Sequence, residues 1–216
     1  MHFLKGLDEL TTTDAEASYA LKDPEEVQRR HALLTASHIQ PLCEYQRVLR
    51  EAMGSGFEMP QFDPCDGGIQ AQALFLLEAP GPKAVGSGFV SRNNPDPTAR
   101  NMNELLDEAR IPRGQSLLWN VVPWYVGSGS KIRPVSASDL REAVPWLKQL
   151  LQLLPRLKVI VLMGRKAQGV SDVVRGLSDV PVLQAFHPSN LSLNRHPERR
   201  GEVLSVFQEA TNILDD

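Results

Sequence analysis

The chain has 216 residues, of which 42% are hydrophobic and 23% are charged, with a formal net charge of −3. This composition is that of an ordinary globular protein, and no stretch approaches the roughly 18 apolar residues of a membrane span. The small negative charge excludes a global attraction to nucleic acid, so any polyanion binding requires a local basic patch. The two cysteines, Cys43 and Cys65, are too few for a disulfide framework or a four-thiolate cluster. They indicate a reducing cytoplasm, and we expect a cytoplasmic protein.

The length predicts a single domain over residues 1–216, with an N-terminal helical extension at about 1–60. Apolar residues recur at helical spacing from Pro24 to Met53, and Pro41 predicts the start of a second helix there. Residues 54–68 are loop by composition.

The first predicted strand leads into the motif Glu78-Ala79-Pro80-Gly81. Four apolar residues from Leu74 to Leu77 precede it and predict a buried parallel strand. Loops at the carboxyl ends of parallel strands are where α/β proteins bind ligands. The alternative is an ordinary strand-to-helix turn that contains a glutamate.

Phe89 lies in the otherwise polar loop that follows this motif. Its ring could stack on a flat ligand or fill the core beneath the loop, and the sequence leaves both open. Asp96 or Thr98 predicts the cap of the next helix.

A second buried strand is predicted over residues 116–125, and Asn120 interrupts its apolar run. A buried amide at this position is either a satisfied core group or one that binds the edge of a ligand. The loop 127–134 carries Lys131 and Arg133, which could bind a phosphate backbone or could simply be solvated.

The second half of the chain repeats the alternation of strand and helix. We predict a helix over 138–154 that is broken or kinked near Pro145, and a third strand over 158–164. One helix of about three turns follows it, and then a fourth strand over 180–192 that ends in His187. A helix over 198–214 closes the chain. This pattern predicts a three-layer α/β fold around a central, mainly parallel four-stranded sheet.

The sequence order of LEAPG, a loop aromatic, WNVVPW and HPSNLS resembles the uracil-DNA glycosylase superfamily. The resemblance runs from about Phe62 to the C-terminus, and EAPG is most similar to the branch that carries an iron-sulfur cluster. That cluster needs four cysteines and this chain has two. The resemblance therefore implies a divergent bacterial group without the cluster, and we expect no cofactor and no bound metal.

The resemblance implies a single uracil-DNA glycosylase-like domain. Its activity would be that of a monofunctional DNA glycosylase in base excision repair, hydrolysing the N-glycosidic bond of uracil or a related deaminated or modified base and leaving an abasic site. The base would be flipped out of the duplex into the site. The partner would be DNA containing such a base, and we expect a monomer that does not bind membranes.

Specific residues receive roles from the same resemblance. His187 would donate a hydrogen bond to the base O2 as negative charge develops there, and Asn120 would pair with the O4 and N3–H edge of uracil. Phe89 would stack on the flipped base. Glu78 would be the catalytic carboxylate that holds water or offsets positive charge on the sugar.

The first motif also departs from the resemblance at two base-binding positions. Ala79 takes the place of an aspartate that activates water in a well-studied branch. Gly81 takes the place of a tyrosine that excludes thymine, so the resemblance implies room for a substituent at C5 of the base.

A group of polar and apolar residues would contact DNA. In the HPSNLS loop, serine hydroxyls would bind phosphates and Leu191 would wedge into the base stack. Arginines after that loop would form, together with His196, the local basic patch. The residues with a predicted role in DNA binding are Ser189, Leu191, Ser192, Arg195, Arg199, Arg200, Lys131 and Arg133.

Two other functions stay open at this level. Ala79 is compatible with a protein that binds damaged or single-stranded DNA and catalyses weakly or not at all. Fold analogy alone also allows an unrelated α/β enzyme that processes nucleotides.

Overall fold

The computed structural model describes residues 17–128 and 131–216, without the side chains of Ser128 and Lys131. Within this part of the chain, the α-helices are α1 Pro24–Leu33, α2 Gln40–Met53, α3 Pro82–Ser87, α4 Pro97–Glu108, α5 Ala137–Gln152, α6 Arg165–Gln168, α7 Ser171–Leu177, α8 Asn190–Asn194 and α9 Glu198–Asp215. The strands are β1 Gln61–Phe62, β2 Ala73–Leu77, β3 Phe89–Val90, β4 Ser116–Asn120, β5 Gly127–Ser128, β6 Lys131–Ile132, β7 Val159–Met163 and β8 Val182–Ala185. Short 3₁₀ turns lie at Ala20–Lys22, Gly68–Gln70 and Arg113–Gln115.

The central sheet contains four strands in the order β4-β2-β7-β8, and every neighbouring pair is parallel. Strands β4 and β7 are buried along their whole length, as expected for a sheet covered on both faces. Leu77 lies opposite Asn120 in the register, so the ends of β2 and β4 are level. The predicted four-stranded parallel sheet is confirmed.

Helices flank this sheet and complete the predicted three-layer fold. Helix α9 contacts α4 and lies against β7 and β8, and its Phe207 ring meets Phe75 of β2 edge-on at 5.0 Å. Helix α2 contacts α5, where the rings of Tyr45 and Trp146 are 6.4 Å apart. None of the described helices is long and apolar enough to cross a membrane.

The structure corrects two local predictions and decides between the alternatives of a third. Helix α5 is not broken at Pro145, which is exposed, so the helical hydrogen bond that proline cannot make is lost at a surface position. The segment after β7 forms the two short helices α6 and α7 rather than one. Strand β8 ends at Ala185, so His187 lies in the loop beyond it.

The N-terminal helix α1 is attached to the sheet region by buried ion pairs. Arg30 is fully buried and donates to Asp63, to Ser91 Oγ at 3.1 Å and to Asn93 Oδ1 at 2.9 Å. Arg113 donates to the same Asp63 carboxylate at 2.8 Å. Burial by itself raises the pKa of Asp63, but the guanidinium groups of Arg113 and Arg30 outweigh this and hold it below its usual value. The division into domains stays a prediction.

Candidate active site

A cavity of about 320 Å³ opens at the carboxyl edge of the sheet. Its lining comes from the loop after β2, from the segment that leads into α4, from the end of β4 and from His187 beyond β8. Parallel strands bring their carboxyl ends to one edge, and this is where α/β sheets bind ligands. The structure therefore brings together Ala79, Gly81, Asn120 and His187, four residues to which the family resemblance assigned base-binding or catalytic roles.

The imidazole of His187 is held in one orientation and one tautomer. The backbone N–H of Ser189 donates to its Nδ1 at 3.2 Å, so the proton of the neutral ring is on Nε2. Burial lowers the pKa of His187, and the negative charge of Asp96 opposes this only in part. The side chain that lines the cavity is thus a neutral hydrogen-bond donor at neutral pH.

Asn120 ends β4 with a side chain that is 4% exposed. Its Nδ2 is buried and has no hydrogen-bond partner among the described residues, although the residue lines the cavity. Leaving a buried donor unpaired costs about 1–3 kcal/mol. An acceptor on a ligand in the cavity would remove that cost.

Asp96 supplies a carboxylate to the cavity that the sequence analysis treated only as a helix cap. Its Oδ1 accepts hydrogen bonds from the backbone N–H groups of Thr98 at 2.9 Å and Ala99 at 3.0 Å. No described residue donates to Oδ2. The Asp-Pro pair before α4 predicts a cap, and a cap fixes one carboxylate oxygen while leaving the other available.

Glu78 is not brought into the cavity, contrary to the prediction. Its Oε1 accepts a hydrogen bond from the backbone N–H of Val135 at 3.3 Å, and the cavity is lined instead by Leu77 and Ala79. Strand β2 ends at Leu77, and the hydrogen bond to Val135 directs the Glu78 side chain toward the segment that leads into α5. The catalytic role predicted for Glu78 therefore has no geometric support.

Phe89 is also outside the cavity. It has no exposed surface, its ring centroid is 4.7 Å from that of His31 of α1, and the next residue, Val90, lines the cavity. Successive side chains of a strand point to opposite faces, so Phe89 and Val90 of β3 face opposite ways. The structure favours the core-filling alternative for Phe89 over base stacking.

The loop after β2 leaves one wall of the cavity open. A Cβ atom added at Gly81 would meet no atom within 4 Å, so the backbone there has free space beside it. Lys83, an exposed residue two positions later, lines the cavity and was not selected from the sequence. The first motif thus contributes small residues and one cation to the rim.

Of the residues predicted to bind DNA around the HPSNLS loop, some are exposed and others already make hydrogen bonds within the protein. Leu191 is 64% exposed, as a wedge requires, and Arg195 is exposed. Ser189 instead caps α8, its Oγ accepting from the backbone N–H of Ser192 at 3.3 Å.

The arginines beyond this loop have intramolecular partners. The guanidinium of Arg199 lies 4.6 Å from the ring centroid of Phe186, and Arg200 donates to Glu108 at 2.7 Å. These exposed contacts are weak enough to exchange for phosphate.

The loop between β4 and α5 supports phosphate binding less well than predicted. Arg133 makes two hydrogen bonds to Asp139, at 2.6 and 2.8 Å, which hold the pKa of Asp139 well below its usual range. A phosphate would have to displace this bidentate pair. The Lys131 side chain lies outside what the structure describes.

The cysteines do not fit an iron-sulfur cluster. Cys43 Sγ is near the carbonyl oxygen of Leu34 and Cys65 Sγ is near Arg29, and two thiols cannot supply four ligands. In the described part of the chain, no three His, Cys, Asp or Glu side chains are grouped so that they could hold a metal ion.

The similarities to known proteins each cover about two thirds of the chain. The sequence model of the uracil DNA glycosylase superfamily matches residues 64–211. The chain is similar to a solution NMR structure from Methanosarcina acetivorans, of a protein provisionally named a uracil DNA glycosylase, with a TM-score of 0.46 and 18% identity over 65% of this chain and 91% of that one. No curated protein matches it. Helices α1 and α2 precede the matched region.

Proposed function

Because the chain belongs to the uracil DNA glycosylase superfamily, we propose that it is a monofunctional DNA glycosylase acting on uracil or a related deaminated or modified base. The observation that carries the proposal is the unpartnered Nδ2 of Asn120 in the cavity wall, together with the Nε2–H of His187. Both groups are donors, so they suit a flat ligand with carbonyl oxygens on its edges. Uracil has two such oxygens.

His187 stabilises the departing base. Breaking the N-glycosidic bond places negative charge on the base and positive charge on the sugar. A fixed neutral donor aimed at a base carbonyl stabilises that anion, and one donor of this kind contributes about 10² to 10³ in rate. The Ser189 hydrogen bond fixes the proton on Nε2 before the reaction begins.

Asp96, rather than Glu78, is the carboxylate that holds water and offsets positive charge on the sugar. It is the carboxylate in the described cavity lining, and its Oδ2 is available to orient a water molecule toward the sugar carbon. Its negative charge also offsets the cation that develops on the sugar. The two backbone N–H groups on Oδ1 keep the carboxylate in place.

The direct test is an incubation of the protein with oligonucleotides that carry uracil, hypoxanthine, xanthine or 5-hydroxymethyluracil. Abasic sites that break only on treatment with alkali would support the proposal. His187→Ala should lower the single-turnover rate by about 10² to 10³ because the anion loses its donor.

Two other outcomes identify the alternatives. Tight binding of the damaged strand without abasic sites would replace the glycosylase with a DNA-binding protein on the same fold. No binding and no cleavage of any of the four substrates would remove both.

A further inference from the structure

His187 reaches the cavity from the edge of the sheet that is opposite to β4. It follows β8, which is separated from β2 by β7, and adjacent strands lie about 4.8 Å apart. The loop after β8 must therefore cross the end of β7 by roughly 10 Å to bring the imidazole to a cavity built around β2 and β4. Something has to hold the loop in that crossing position.

One holding contact comes from α4. Asn101, which is 9% exposed, donates from Nδ2 to the carbonyl oxygen of Pro188 at 2.7 Å and to Oδ1 of Asn190 at 3.0 Å. These two acceptors bracket Ser189, whose N–H donates to His187 Nδ1. A single amide thus binds the loop immediately after the histidine, at both ends of the residue that sets its tautomer.

The end of β7 provides the space beneath the loop. Gly164 has φ +86°, and a Cβ atom there would lie 2.9 Å from Cβ of His187. The loop can therefore lie directly on the backbone of Gly164. The loop thus contacts both this backbone and the Asn101 amide.

We propose that Asn101 is a positioning residue that holds His187 over the cavity through Pro188 and Asn190. This inference rests on the proposed function, since it gives the loop contact a role in glycosidic bond cleavage. The same helix carries Asp96 at its N-terminus, so α4 sets the position of both the carboxylate and the imidazole. A misplacement of about 1 Å in a site of this kind costs on the order of 10²-fold in rate.

The test uses Asn101→Ala and Asn101→Asp in the full chain. Alanine removes both hydrogen bonds, and aspartate keeps the shape but places carboxylate oxygens against two acceptors. We expect single-turnover cleavage to fall by about ten- to a hundredfold in both variants, with the KM for DNA within about twofold of wild type. Glu104→Ala, on the exposed surface of α4, is the matched control and should keep the wild-type rate.

A second readout does not depend on activity. Nitrogen-15 NMR of the His187 ring should show an acceptor Nδ1 and a protonated Nε2 in the wild type, and this pattern should be lost or averaged in both Asn101 variants. If the wild type cleaves no substrate but the ring signals change as expected, the proposed function fails and the positioning role stands. Folded Asn101→Asp protein with wild-type rate and ring signals overturns the inference. Should both Asn101 variants fail to fold, Asn190→Ala is measured instead, because it removes one of the two acceptors of the Asn101 amide. A lower rate with altered ring signals supports the inference, and wild-type rate and ring signals overturn it.

Discussion

Two groups of buried polar side chains share the segment 91–96, and they differ in how fully their hydrogen-bonding groups are satisfied. The first is the ion-pair network of Arg30, Asp63 and Arg113, which reaches Ser91 and Asn93. The second is the cavity lining. Ser91 belongs to both, so one short segment connects α1 to the candidate active site.

The acceptors of the network are supplied with donors from within the protein, and its arginines also bind Glu26 and Asp66. Asp63 accepts from both arginines and from the backbone N–H of Cys65, while Asn93 Oδ1 accepts from Arg30 and from Arg113 at 2.7 Å. The described cavity, in contrast, holds a buried donor on Asn120 without a partner and a carboxylate oxygen on Asp96 without a donor. Groups satisfied by the protein fix its structure, and groups left open by it are available to a ligand.

Asp96→Asn should give the largest effect on activity and almost none on stability. Asparagine caps a helix as well as aspartate does, so α4 should stay intact while the charge disappears. We expect the single-turnover rate to fall by about 10² to 10⁴, since a positioned base contributes that much. Thermal unfolding within about 2 °C of wild type is the control, and an unchanged rate would show that the open oxygen is not used.

Asp63→Asn should show the opposite pattern. Removing the carboxylate charge takes away the buried counterion that Arg30 and Arg113 share, although Glu26 still pairs with Arg30 and Asp66 with Arg113. Breaking a buried ion pair from one side typically costs about 3–5 kcal/mol. Urea unfolding measures this free energy, and Glu44→Gln in the exposed pair with Arg47 is the matched control, worth at most about 1 kcal/mol. A loss of stability below about 1 kcal/mol for Asp63→Asn would contradict the structural role of the network.

The fold followed from the sequence because its signals are local. Runs of apolar residues marked the four strands of the central sheet, and the helical stretches between them required parallel pairing. Asn120 and His187 were found for the same reason, since each interrupts or follows such a run. The crossing of His187 over Gly164 was not predictable, because it depends on the spatial order of the strands.

The errors in the site came from side-chain direction. Glu78 and Phe89 are next to cavity residues in sequence and face away from the cavity in space. The direction of Glu78 was not predictable from the sequence, because β2 ends at Leu77 and the hydrogen-bond partner Val135 is distant along the chain. Asp96 was predicted only as one of two possible caps of the next helix, so its place in the cavity lining was not predicted.

The titration of His187 tests whether burial and the charge of Asp96 affect its pKa as the structure indicates. Burial lowers its pKa, so NMR titration should give a value below the usual 6.5 or so, with the neutral ring in the folded protein at neutral pH. Its contribution to stability is then present above the unfolded-state pKa and is lost as the pH falls through the folded-state value.

Asp96→Asn should lower the His187 pKa further, because the carboxylate favours the protonated ring. Lys83, the other charged group lining the cavity, stays in both proteins. A higher pKa in Asp96→Asn than in wild type would contradict the proximity of the two groups.

The last prediction concerns substrate selectivity at Gly81, where the cavity wall has empty space rather than an unpaired polar group. No atom lies within 4 Å of a Cβ placed at Gly81, and its φ of −88° is accessible to any residue, so a tyrosine can be introduced without strain. We expect the wild type to cleave 5-hydroxymethyluracil within about tenfold of uracil, because no side chain at 81 opposes a C5 substituent. Gly81→Tyr should reduce cleavage of the substituted base selectively, by about 10- to 200-fold, since a hydrophobic wall discriminates by about 1–3 kcal/mol.

Gly86→Tyr is the matched control, because Gly86 is equally open but does not line the cavity. Equal losses for uracil and 5-hydroxymethyluracil in Gly81→Tyr would mean that the new ring blocks the cavity as a whole. Rejection of every 5-substituted uracil by a wild type that cleaves uracil would mean that another wall fills this space.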